Sequence, residues 1–111
     1  MTTISKKNKF ITLINVFTVD PAKQQQLVDL LIQATESSVR HIPGFISASL
    51  HRSLDGAKVA IYAQWRSVED YQAMRKNAAA LPYMEQALTL AKFESGLYEV
   101  VETFEPLPTH A

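Results

Sequence analysis

Residues 45–65 read FISASLHRSLDGAKVAIYAQW, and that stretch decides the fold. Two alternating runs, Phe45 to Arg52 and Lys58 to Trp65, flank Leu54-Asp55-Gly56-Ala57. Asp-Gly between two such runs is a strong hairpin signal, because glycine accepts the backbone dihedrals that close a tight turn. With Asp55 and Gly56 as a two-residue turn, Ser53 faces Lys58, Leu50 faces Ile61 and Ile46 faces Trp65. That register puts Ile46, Ala48, Leu50, Val59, Ile61, Ala63 and Trp65 on one side, and Ser47, Ser49, His51, Tyr62 and Gln64 on the other. The first side belongs under helices.

Upstream, Phe10 to Val19 alternates as well. Ile11, Leu13, Asn15, Phe17 and Val19 share one face, and Phe10, Thr12, Ile14, Val16 and Thr18 share the other. Asp20 then Pro21 supplies an N-cap and a first-turn proline, and Leu27, Leu30, Leu31 and Ala34 recur at helical spacing. They predict a helix over roughly Pro21 to His41, stopped by Pro43-Gly44. Downstream, Ser67 caps a helix that begins within two residues of Trp65, with Asp70 three residues on and Tyr71 and Met74 on a common face. Asn77 and an alanine run lead to Pro82, after which Met84, Ala87, Leu88 and Ala91 mark a further helical segment. Gly96 is expected to open a last strand alternating Tyr98, Val100, Glu102 and Phe104 against Leu97, Glu99, Val101 and Thr103.

The order strand, helix, strand, strand, helix, strand, with a right-handed crossover, predicts an α+β ferredoxin-like βαββαβ sandwich over residues 10–105. A flexible segment 1–9 precedes it and a tail 106–111 follows. The sheet face away from the helices would carry Ile14, Val16, Tyr62, Val100 and Phe104 in water, so a homodimer is expected.

Composition narrows the functional classes. A chain of 111 residues suits one domain, and its 47% hydrophobic and 20% charged residues fit a globular protein. Eleven basic residues balance eleven acidic ones, which offers no general attraction to nucleic acid or an anionic membrane. No export signal or membrane span is recognisable, so the cytoplasm is the expected location. Cysteine is absent, and His41, His51 and His110 lack the spacing of a metal motif. Gly44, Gly56 and Gly96 are the three glycines, too scattered for a dinucleotide loop. Asn15 stands out from pattern alone, because it interrupts an apolar strand face and a buried amide must find partners.

The segments Ile42 to His51, Tyr62-Ala63-Gln64-Trp65 and Ser67 to Tyr71 resemble the antibiotic biosynthesis monooxygenase domain, most nearly the small monooxygenases that oxidise aromatic polyketides to quinones. The likeness runs from Ile11 to Phe104. It implies a dimeric α+β barrel, a pocket between each sheet and its own helices, and oxygen chemistry without flavin, haem or metal. The substrate would be a phenol, hydroquinone or polyketide-like aromatic, and molecular oxygen the co-substrate.

On that resemblance Trp65 would stack on substrate and donate an indole N–H, Tyr71 would donate a hydrogen bond or proton, and Asn15 would supply an amide. Each also reads as packing: a core tryptophan, a helix-face tyrosine, a satisfied structural amide. Ile61, Met74, Phe17, Met84 and Leu50 are the expected binding-wall residues, with core lining as their plainer reading. Ile61 stands where the polyketide oxidases carry an asparagine, four residues before the tryptophan. His51 is expected at the dimer interface. The haem-degrading branch shares a first-strand asparagine and the tryptophan, but needs a helix histidine, and none lies between His51 and His110. The alternative is a small-ligand-binding or stress-associated dimer without catalysis.

Overall fold

The computed structural model describes residues 10–108; the expected flexible segment 1–9, and residues 109–111 with His110, lie outside the described residues. Seven elements follow one another: β1 (Ile11–Val19), α1 (Gln24–Ser37), β2 (Phe45–Arg52), β3 (Lys58–Trp65), α2 (Val68–Arg75), α3 (Leu81–Leu90) and β4 (Ala91–Tyr98). The strands form one antiparallel sheet in the order β2-β3-β1-β4, the ferredoxin-like arrangement expected from the element order.

The hairpin register holds near the turn and fails at its far end. Leu50 faces Ile61, and the Ser53 N–H donates to the Lys58 carbonyl at 2.9 Å. The turn is a four-residue loop rather than a two-residue one: the Gly56 N–H returns to the Ser53 carbonyl at 3.2 Å and Gly56 takes φ +83°. Asp55 accepts from the Ala57 N–H and from the Ser53 hydroxyl, and these bonds hold its carboxyl below the usual range. Between Phe45 and Ser47 a bulge shifts the pairing, so Phe45, not Ile46, faces Trp65. Phe45 meets the indole edge-to-face at 5.6 Å, and Ile46 turns outward.

Two further expectations change. The predicted helix over Pro21 to His41 is three pieces: a 3₁₀ turn at Pro21–Lys23, α1, and a 3₁₀ turn at Val39–His41. The break at Ser38 is bridged when the His41 ring bonds the Glu36 carbonyl at 2.9 Å, satisfying one of the open carbonyls at the helix end. The last strand does not open at Gly96 or run to Phe104. α3 ends at Leu90, Ala91 is already extended, and Phe93 stacks on Phe17 at 5.3 Å. Tyr98 then pairs with Thr12, so β1 has almost no partner left for the chain beyond it. Residues 99–108 form no helix or strand; Val101 and Phe104 are exposed, and so is Leu88 on α3.

The helix-covered face holds the core in two clusters. One gathers Leu13, Ile42, Ala63, Trp65, Tyr71 and Met74; the other gathers Phe17, Leu27, Val28, Leu31, Val59 and Ala87. Ile61 packs against both. α2 is fixed at its start by Ser67, whose side chain accepts from the Asp70 N–H at 3.1 Å, as the sequence predicts. Arg66 donates to both oxygens of Asp70, at 2.8 and 3.0 Å, and its guanidinium, with the Ser67 hydroxyl, holds that carboxyl below the usual carboxylate range.

Candidate active site

The two core clusters do not close on each other. Between them lies a cavity of ≈ 80 Å³, lined from below by β1, β2 and β3 and from above by α1, α2 and α3. Its position follows from the strand pattern: Leu13 belongs to one cluster, Phe17 to the other, and Asn15 sits between them. Small side chains keep the space open, Ala34 on α1, Ala48 on β2, Ala63 on β3 and Ala87 on α3.

The wall is apolar apart from a few groups. Asn15 is 6% exposed and Trp65 1% exposed, and both line the cavity. The Asn15 Oδ1 and the Trp65 Nε1 are buried without a hydrogen-bond partner; of the three residues with such an atom among the described residues, only Ser38 does not line the cavity. Leaving a buried donor or acceptor unpaired costs about 1–3 kcal/mol. Two residues of one wall that each carry such a group are therefore the candidates to bind the polar atoms of a ligand.

Of the residues singled out from the sequence, Asn15, Trp65, Ile61, Met74, Phe17 and Met84 come together here. Asn15 faces Ile61 directly across β1 and β3. Two do not reach the wall. Leu50 lies two pairs nearer the hairpin than Ala48, packs on the Phe17 cluster, and lines an adjoining groove of ≈ 150 Å³ between α1 and β2. Leu31, Thr35, Ala48 and Ile61 are common to the groove and the cavity. Tyr71 is buried behind Trp65, with ring centroids 6.2 Å apart, and its hydroxyl meets the Ser95 hydroxyl on β4 at 3.3 Å. His51 is exposed on β2.

Further lining residues are not expected on the wall from the sequence, among them Thr35, Phe45 and Tyr83. Phe45 is brought in by the bulge. Tyr83 had a signal, since it precedes Ala87 by one helical turn directly after Pro82. No group of three or more His, Cys, Asp or Glu able to hold a metal exists among the described residues, and no helix there is long and apolar enough to cross a membrane.

Comparison with known proteins bears on the family and the fold. A family model described as antibiotic biosynthesis monooxygenase matches residues 10–86. The chain is 42% identical over 104 residues to tetracenomycin-F1 monooxygenase of Streptomyces glaucescens, covering 94% of this chain and 93% of that one. Among solved structures, the monooxygenase from the ActVA-Orf6 gene of Streptomyces coelicolor, in complex with nanaomycin D, superposes with a TM-score of 0.77. Its identity is 28%, over 87% of this chain and 92% of that one. SnoaB of Streptomyces nogalater, a cofactor-independent oxygenase, gives a TM-score of 0.74 at 24% identity over 92% and 100%, a likeness of fold.

Proposed function

The chain belongs to the antibiotic biosynthesis monooxygenase family, and on that premise we propose that it oxidises a phenolic, hydroquinone or polyketide-like aromatic with molecular oxygen, without a cofactor. The observation that carries the reading is that two residues lining one apolar cavity, Trp65 and Asn15, each hold a buried polar atom without a partner. The likeness to the tetracenomycin-F1 monooxygenase of Streptomyces glaucescens supports it.

The chemistry then comes from the substrate. A phenol with a free ring carbon loses its hydroxyl proton, and the electron-rich ring passes one electron to dioxygen. Ring radical and superoxide join in a new C–O bond, and the resulting hydroperoxide loses water to leave a carbonyl. Phenol and dioxygen become quinone and water. Negative charge grows on the phenolate and peroxide oxygens, and the donors available to meet it in a site of low dielectric are the Trp65 indole N–H and the Asn15 amide N–H, while the unpaired Asn15 Oδ1 can accept from the substrate hydroxyl. Asn15 stands opposite Ile61, so the amide that the polyketide oxidases place on the third strand is here offered from the first. Tyr71 supports the indole from behind. The cavity is smaller than the roughly 150 Å³ void that takes a benzene ring, so a multi-ring substrate would extend past Ile61 into the groove between α1 and β2.

Oxygen uptake with a panel of naphthols, anthrones and hydroquinones tests the reading. Consumption well above the buffer rate is expected with at least one, and none with any member would overturn it. Trp65→Phe keeps a ring but removes the N–H, and its rate is expected to fall about tenfold to a hundredfold. An unchanged rate would take Trp65 out of the chemistry.

The working unit in this reading is a cytoplasmic homodimer. Ile14, Val16 and Tyr62 on the helix-free face are only half-buried, and Val101, Phe104 and Leu107 add exposed apolar surface that a second copy would cover. Sedimentation at micromolar concentration is expected to give twice the chain mass. A monomer there would contradict it.

A further inference from the structure

The proposed reaction starts by removing a proton from the substrate, yet the cavity wall holds no Asp, Glu, His, Lys or Arg. Four lining side chains have a polar atom: Asn15, Thr35, Trp65 and Tyr83. The Trp65 indole only donates, and an amide such as Asn15 does not take up a proton near neutral pH. Thr35 already donates its hydroxyl to the Leu31 carbonyl at 2.9 Å. The Tyr71 hydroxyl is engaged with Ser95 and lies off the wall. That leaves Tyr83, the one ionisable side chain on the wall. It sits in the first turn of α3, half-buried, and its hydroxyl makes no hydrogen bond among the described residues.

We infer that Tyr83 is a catalytic residue, the hydroxyl through which the substrate proton leaves the cavity for solvent. The inference rests on the proposed oxidation. A hydroxyl both donates and accepts, so it can take one proton while releasing another. The substrate O–H bond breaks and its proton goes to the Tyr83 oxygen. The proton that Tyr83 carried passes to water at the outer end. The products are a phenolate in the cavity and a hydronium ion outside, with no change of oxidation state. Half-burial suits this role, since a fully enclosed tyrosine would have nowhere to send its proton. Electron transfer to dioxygen follows from the phenolate.

The test is the pH profile of turnover, with a naphthol as substrate, for the parent protein, Tyr83→Phe and Tyr83→His. Phenylalanine keeps the packing of the ring. At neutral pH the Phe variant is expected to lose about a hundredfold in rate, the usual scale of a positioned proton-transfer group. The deficit is expected to close as pH rises towards the ionisation of the naphthol itself, because substrate that is already deprotonated no longer needs the relay. Histidine also exchanges protons and is expected to restore at least about tenfold over Phe. A Phe variant with the parent rate overturns the inference. So does a loss of equal size at every pH, or a His variant no faster than Phe, since either marks Tyr83 as packing alone. A parent protein inactive on the whole panel overturns the proposed function first, and this inference with it.

Discussion

An Asn15→Leu variant is expected to unfold later than the parent protein and to turn over at least about a hundredfold more slowly. The two effects have opposite signs because one group causes both. Asn15 lies on the covered face of β1 between Leu13 and Phe17, 6% exposed, with its Oδ1 unpaired. A buried acceptor without a partner destabilises the empty protein by about 1–3 kcal/mol, and leucine, close in size, removes that penalty while adding apolar contact with Ile61 across the strand pair. About 1 kcal/mol of added stability is the expected result in urea unfolding. The same replacement removes an amide from the place where negative charge develops, and losing one such group costs about 10²–10³ in rate. A structural amide would behave otherwise. Leucine would then destabilise the protein and leave turnover in proportion to the folded fraction.

The largest loss of stability is expected from Gly44→Ala. Gly44 has φ +90°, in the left-handed region that side chains disfavour by roughly 1–2 kcal/mol. A Cβ there would also overlap the Cβ and Cγ of Asp70. Asp70 cannot step aside cheaply, because Arg66 grips both of its oxygens and Ser67 bonds one of them and caps its backbone N–H. Strain and overpacking together should destabilise the protein by about 3 kcal/mol. The Gly44 carbonyl also accepts the Arg66 N–H at 2.8 Å, joining the start of β2 to the end of β3. Displacing it moves Phe45 away from Trp65, so turnover should fall even where the variant is folded. A loss below about 1 kcal/mol in urea unfolding would mean the loop relaxes freely and does not clamp this end of the site.

The parts of the fold set by two-residue alternation are legible in the sequence. Leu13, Asn15 and Phe17 fall on the covered face as the pattern requires, and Ser67 caps α2 as its spacing to Asp70 requires. What fails depends on contacts outside the local pattern. The bulge between Phe45 and Ser47 leaves the alternation of β2 intact in the sequence, yet it exchanges Phe45 for Ile46 beside the indole. β4 already alternates from Ala91, with Ala91 and Phe93 turned to the core, and its limits are set by how far β1 extends opposite it. The cavity is half legible. Asn15 and Trp65 betray themselves by residue type, whereas Tyr83 enters only because α3 folds over the opening. Tyr71 has the expected place beside Trp65, but the position of Ser95 draws its hydroxyl towards β4, which no motif on α2 encodes.

Isotopically labelled dioxygen, supplied with the most active aromatic of the uptake panel to metal-free and flavin-free protein, shows whether the protein inserts an oxygen atom without a cofactor. One labelled oxygen atom is expected in the quinone product and the other in water, with incorporation lost in Asn15→Leu and reduced in Trp65→Phe. A quinone whose new oxygen comes from water, or labelled product formed equally well by both variants, would contradict it.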